Sequence, residues 1–205
     1  NINFQKKMGF VIQRKTSQRV KLATSLSKIP DVFVSQFKDP YAENWEPIDG
    51  IYTNDVTGDF FSDLTKSKYF FSKEFFQFDL AMYCKLYYRF EAPMIDETWA
   101  EFDYDFKAAN ITEKTIMPII LNRPFISTHI YPLKVLDKIF SVGKHPFYKE
   151  ISEISGKPDK ILEFTKYFLS NYDYNVKLCK EYTQKVLDEL IHRVRTENSF
   201  LDKIL

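Results

Sequence analysis

Residues 110–129, Asn-Ile-Thr-Glu-Lys-Thr-Ile-Met-Pro-Ile-Ile-Leu-Asn-Arg-Pro-Phe-Ile-Ser-Thr-His, hold the densest group of side chains able to do chemistry. Thr112-Glu113-Lys114-Thr115 opens a short apolar stretch and reads as the first turn of a helix over 113–121. Thr112 suits the N-cap, because its hydroxyl can accept from a free backbone NH of that turn. The remaining unpaired NH groups and the positive end of the dipole make a ready anion site. Beside it, Glu113 can accept from hydroxyls and Lys114 can act as a point cation for phosphate. The implied chemistry is retention of a phosphate-bearing ligand at a loop-to-helix junction. The plainer alternative is a capped helix with a solvated Glu-Lys pair, and residue chemistry alone leans that way.

Three further polar stretches compete for attention: Arg14 to Arg19, Asp96 to Trp99, and Ser127 to His129. Asp103-Tyr104-Asp105 has the spacing of a divalent-cation pair, but it lacks an apolar strand before it and reads better as a polar loop. His129 follows a strand and is equally a ligand contact or an ordinary strand-end histidine. His145, before Pro146, reads as a turn residue, and His192 as surface or packing on the last helix. The three histidines have no mutual ligand spacing, which argues against zinc. Cys84 and Cys179 lie in apolar surroundings and read as core rather than nucleophile. Tyr69, Phe70, Phe71, Phe75 and Phe76, interleaved with Lys66, Lys68 and Lys73, offer stacking for nucleobases, though burial is the simpler fate of such rings.

The elements that must position these groups follow from periodicity. Residues 8–13 read as a buried strand. After a polar loop, Val20, Leu22, Ala23, Leu26 and Ile29 recur at helical spacing, with Ser17 as a possible cap and Pro30 as the stop. Residues 31–37 are the next strand. A strand, loop, helix and strand in this order are what a parallel α/β sheet requires. Residues 38–73 read as an irregular insertion with a short helix near 59–66, and 74–88 as a buried helix or a helix running into a strand. Residues 90–95 read as a strand, and Pro93 argues that it is short or at an edge. A helix at 113–121, a strand at 124–129 and a helix after Pro132 follow. Residues 147–154 are ambiguous, and helical periodicity through 160–169 and 176–192 makes 159–205 a helical tail. The expectation is one domain over 1–205, an α/β Rossmann-like parallel sheet flanked by helices with a helical C-terminal extension. In such a sheet the carboxyl ends of the strands line one crevice, so all four polar stretches can meet there.

Composition narrows the function. Hydrophobic residues are 44% of the 205, enough for a real core and against disorder. A net charge of +1 gives no global pull toward nucleic acid or an acidic membrane. Two distant cysteines suit a reducing compartment, and no apolar run approaches the length of a membrane span. The chain opens on Asn1 without an initiator Met and enters a strand within about ten residues, which points to processing or to a piece of something longer.

Taken together, the order of these stretches resembles the donor-nucleotide domain of fucosyltransferase-like glycosyltransferases of the GT-B type. It is more similar still to small glycosyltransferase-like proteins of phages and giant viruses. The residues that carry this are Thr112-Glu113-Lys114-Thr115 with Pro118-Ile119 and Pro124-Phe125-Ile126, the upstream Glu97-Thr98-Trp99, and Arg19 within Gln18-Arg19-Val20-Lys21-Leu22. The match spans roughly 8–37 and 90–140. It implies that Glu113 bonds the ribose hydroxyls of a nucleotide-diphospho sugar, that Lys114 sits on the diphosphate and that Arg19 reaches the same phosphates. Arg14 in the same first loop and Thr112 at the helix cap join the binding set, with Glu97 and Thr98 near the sugar or base. Cations and helix-end NH groups would stabilise the departing diphosphate, so no metal or other cofactor is strictly required. Ser127-Thr128-His129 departs from the Gly-bearing strand end of fucosyltransferases. GT-B enzymes take the acceptor and the general base largely from an N-terminal domain, so an acceptor-binding domain or partner chain is implied and the base is unassigned. The corresponding location is the cytoplasm, that of the host for a viral protein. Nucleic acid enters only as a conceivable acceptor. The alternative is a non-catalytic, virion-associated or protein-interaction domain that keeps the fold and buries its aromatic patches in a partner.

Overall fold

Strand β1 (Lys6–Ile12) is flanked on both sides by parallel neighbours, and the rest of the chain is laid out from it. The computed structural model describes residues 4–12, 15–37, 46–54, 89–96 and 113–196, the side chains of Phe37, Asn54 and Glu113 excepted. After β1 come α1 (Ser17–Leu26), β2 (Val32–Phe37), β3 (Tyr52–Asn54), β4 (Phe90–Ile95), α2 (Glu113–Ile120) and β5 (Ile126–Ser127). Four further helices follow: α3 (Ile130–Ile139), α4 (Tyr148–Ile154), α5 (Pro158–Ser170) and α6 (Tyr172–Thr196). The strands form one parallel sheet in the order β3-β2-β1-β4-β5. The chain is therefore an α/β Rossmann-like fold, and its strand order reverses between β1 and β4.

That reversal decides where the helices go. Right-handed crossovers put α1 and α2 on opposite faces of the sheet, and their packing partners differ accordingly, α5 for α1 and α6 for α2. Met8, Phe10 and Ile12 of β1, Leu22, Ala23 and Leu26 of α1, and Ile161, Phe164 and Phe168 of α5 belong to one buried apolar cluster. The chain then turns at Tyr172, whose hydroxyl donates to the Lys7 carbonyl at 2.7 Å and lies 3.0 Å from Glu91 Oε2. Cys179, Tyr182 and Val186 of α6 complete the core. The helical C-terminal extension thus packs on α1 and α2 and shares the buried core with the sheet. On α6, Arg193 pairs with Glu189 one turn earlier at 2.8 Å, both partly exposed.

Several sequence expectations need correction. Thr16, not Ser17, caps α1, its Oγ1 accepting from the Arg19 NH at 3.3 Å. That helix stops at Leu26, before Pro30. Part of the span read as irregular, Tyr52–Asn54, is an edge strand. Strand β4 is interior despite Pro93. It tolerates proline because β5 pairs only with Met94 and Ile95, so on that side Pro93 lies beyond the end of the ladder. β5 itself has two residues rather than six, and 148–154, ambiguous in sequence, is helical. The helix near 59–66 and the segment 74–88 lie outside the described residues.

Gly9 has a steric purpose. The Phe90 ring passes over it to stack on Phe33, with ring centroids 5.9 Å apart, and a Cβ at residue 9 would lie 2.2 Å from a Phe90 ring carbon. Gly9→Ala should therefore destabilise the fold by roughly 1–3 kcal/mol through overpacking. Urea unfolding checks this. An unchanged midpoint would mean that the ring moves aside without cost.

Candidate functional site

The carboxyl ends of β1, β4 and β5 converge on a buried carboxylate. Asp96 is the first residue past β4, and Arg19 lies in the first turn of α1. The Arg19 guanidinium donates from Nε to Asp96 Oδ2 at 2.5 Å and from Nη2 to the Asp96 carbonyl at 3.2 Å. Both side chains are only 3% exposed. The other carboxylate oxygen, Oδ1, accepts from the Thr128 hydroxyl and lies 3.4 Å from His129 Nε2. Burial alone would raise the Asp96 pKa. The His129 hydrogen bond, the Arg19 charge and the Thr128 hydroxyl outweigh it and hold the carboxyl below its ordinary 3.8.

Local bonds fix the β5 side of this cluster. The Thr128 NH donates to the Ile95 carbonyl at 2.9 Å, which ties β5 to the end of β4. Ser127 Oγ donates to the His129 carbonyl at 2.7 Å, and the Ile130 NH donates to Ser155 Oγ at 3.1 Å. Gly156, at φ +69, brings its NH to the Thr128 carbonyl at 3.2 Å and lies against the His129 ring. A left-handed residue is needed there for the loop to close on the strand end.

The sequence candidates divide unevenly. Arg19 is at the crevice, but its guanidinium is 3% exposed and held by Asp96, so it supports the floor rather than projecting toward a ligand. Lys114 is half-buried in the first turn of α2. Five residues join the end of α2 to β5, so α2 runs antiparallel to the strands and its first turn points to the carboxyl edge. Glu113 begins that helix. Arg14, Glu97, Thr98 and Thr112 lie outside the described residues, as do Asp103, Asp105, Cys84 and the aromatic run from Tyr69 to Phe76. Among the described residues no group of His, Cys, Asp and Glu is arranged to hold a metal ion.

Other polar groups were not singled out in the sequence. Gln36, at the carboxyl end of β2, is fully buried, and its Oε1 accepts from the Ile48 NH at 3.0 Å. Its Nε2 and the neighbouring Ser35 hydroxyl are buried without a hydrogen-bond partner among the described residues. Two polar residues breaking an apolar strand were the available signal. His145 opens a turn, as expected, its carbonyl accepting from the Tyr148 NH at 2.9 Å, and its ring is buried: Nε2 donates to the Phe125 carbonyl at 2.9 Å and Nδ1 accepts from the Phe147 NH at 3.2 Å. Cys179 is core, its thiol pKa pushed up by burial. His192 lines a shallow groove with Val142, Lys185, Asp188 and Glu189. No described helix is long and apolar enough to cross a membrane.

No protein-family model, curated protein or solved structure matches the chain, so what stands is an α/β Rossmann-like fold with polar side chains gathered where its strand order reverses.

Proposed function

We propose that the carboxyl edge of this sheet binds a nucleotide-diphospho sugar and serves glycosyl transfer to an acceptor. The observation that carries the reading is the reversal of strand order between β1 and β4, the position at which open parallel sheets take ligands. Above it lie the capped start of α1, with Lys15 exposed just before the cap, and the first turn of α2 with Lys114. Both helix starts present the positive end of a helix dipole, which suits phosphate. Lys114 takes the diphosphate, and Glu113 takes the ribose hydroxyls. Arg19 acts one layer down by holding Asp96. The chemistry asked of these residues is to bind the diphosphate and stabilise its growing charge as the glycosidic bond breaks.

Calorimetric titration of UDP-, GDP- and dTDP-sugars tests this. At least one should bind, and Lys114→Ala should weaken it about tenfold, the loss expected for one charge-assisted hydrogen bond. If none binds, or if Lys114→Ala binds unchanged, the proposal is wrong. The burial of Arg19 against Asp96 favours one second reading, a domain of this fold with no reaction of its own. That reading predicts an empty titration.

A further inference from the structure

His129 occupies an unusual position in the cluster under the crevice. One ring nitrogen, Nε2, lies 3.4 Å from Asp96 Oδ1. The other, Nδ1, makes no hydrogen bond among the described residues, whereas the backbone NH and carbonyl of His129 are both bonded to Ser127 Oγ. An ionised carboxylate can only accept, so its partner Nε2 must carry the proton. In the neutral ring this leaves a lone pair on Nδ1. Arg19 already balances the Asp96 charge through its own bond to Oδ2. The residue beside Nδ1 is Gly156: a Cβ there would lie 3.5 Å from His129 Cε1 and 3.7 Å from Nδ1.

His145, packed in the core, uses both ring nitrogens. His129 uses one and is oriented by Asp96 with the other left over, the arrangement by which a carboxylate fixes an imidazole tautomer for work at its far nitrogen. We infer that His129 Nδ1 accepts a hydrogen bond from a ligand hydroxyl, on the ribose or on the transferred sugar, in the crevice at the ends of β4 and β5. A hydroxyl is specified because a lone pair can accept from O–H and has nothing to offer an unprotonated phosphate oxygen. This rests on the sugar-nucleotide reading and adds to it the group that reads a hydroxyl.

Two substitutions separate this role from a structural one. In His129→Gln the amide nitrogen can replace Nε2 on Asp96, while nothing replaces Nδ1. In His129→Asn the amide lies near the Nδ1 position and cannot reach Asp96. Thermal stability and calorimetric affinity are measured for both variants, with the best-binding sugar nucleotide, its parent nucleoside diphosphate and inorganic pyrophosphate as probes. His129→Gln should keep wild-type stability, weaken the sugar nucleotide about tenfold and leave pyrophosphate binding unchanged. His129→Asn should lose stability and retain more affinity per folded molecule. Weakening of the nucleoside diphosphate as well assigns the hydroxyl to the ribose, and weakening of the sugar nucleotide alone assigns it to the sugar. Wild-type affinity in His129→Gln, or an equal loss for pyrophosphate, overturns the inference and leaves the sugar-nucleotide reading intact. Failure of the wild-type chain to bind any sugar nucleotide overturns both.

Discussion

Asp96→Ala should lower the free energy of unfolding by roughly 3–5 kcal/mol, the cost of removing one partner from a buried, hydrogen-bonded ion pair. The reason lies mostly in what is left behind. Arg19 would keep its charge with only 3% of its side chain in contact with solvent and without the carboxylate that takes Nε. Thr128 Oγ1 and His129 Nε2 would lose the same acceptor. Guanidinium cannot escape by deprotonating, because its pKa is too high. Urea unfolding of Asp96→Ala, Arg19→Met and the double variant separates the terms. The double variant should recover much of the loss, since replacing a whole buried pair by apolar groups is far cheaper than breaking it. A loss under about 1 kcal/mol in Asp96→Ala would be the behaviour of a solvated pair and would contradict the burial on which the floor of the crevice depends.

The cluster also shows what sequence could and could not reveal. Parallel topology was legible because β1, α1 and β2 follow one another with short connections and clean periodicity. The polar ends of β4 and β5 were legible as stretches worth attention. Their division of labour was not. Arg19 and Asp96 are 77 residues apart, and nothing local in either segment says that the arginine will turn inward. The resemblance implied a phosphate contact for Arg19, whereas tertiary packing gave it a carboxylate. Pro93 misled because its lack of an NH argues for an edge, and it escapes that rule only because β5 is so short. Gly9 was silent: nothing local in the strand shows that a ring from β4 needs its missing side chain. His145 does open a turn, as Pro146 beside it suggested, but that local signal carries no information about Tyr182, 5.0 Å away between ring centroids.

That histidine supplies the second large effect. Between pH 6.5 and about 4 the protein should lose on the order of 3 kcal/mol of stability through His145 alone. Burial pushes its pKa down from 6.5 to about 4, and the bond to the Phe125 carbonyl only partly opposes that. The hydrogen bonds favour the same neutral form: Nδ1 accepts from the Phe147 NH, which a doubly protonated ring could not do. The direction follows from proton counts. Below pH 6.5 the unfolded chain binds a proton at this ring that the folded chain refuses until pH reaches about 4, so stability falls as pH falls. Above 6.5 both states are neutral at this site and the contribution is whole. Asp96 gives a separate, lower limb: its folded pKa lies below 3.8, so its stabilisation is lost only as pH drops under that value. Unfolding free energies from urea titrations between pH 4 and 8 would show the upper limb. In His145→Gln an amide can still donate to the Phe125 carbonyl but cannot titrate, so the slope between 6.5 and 4 should flatten by up to one proton while His129 and His192 remain in place. An unchanged slope in that variant would mean that His145 is hydrated in the native state, and the core between Phe125, Phe147 and Tyr182 would then have to be open to water.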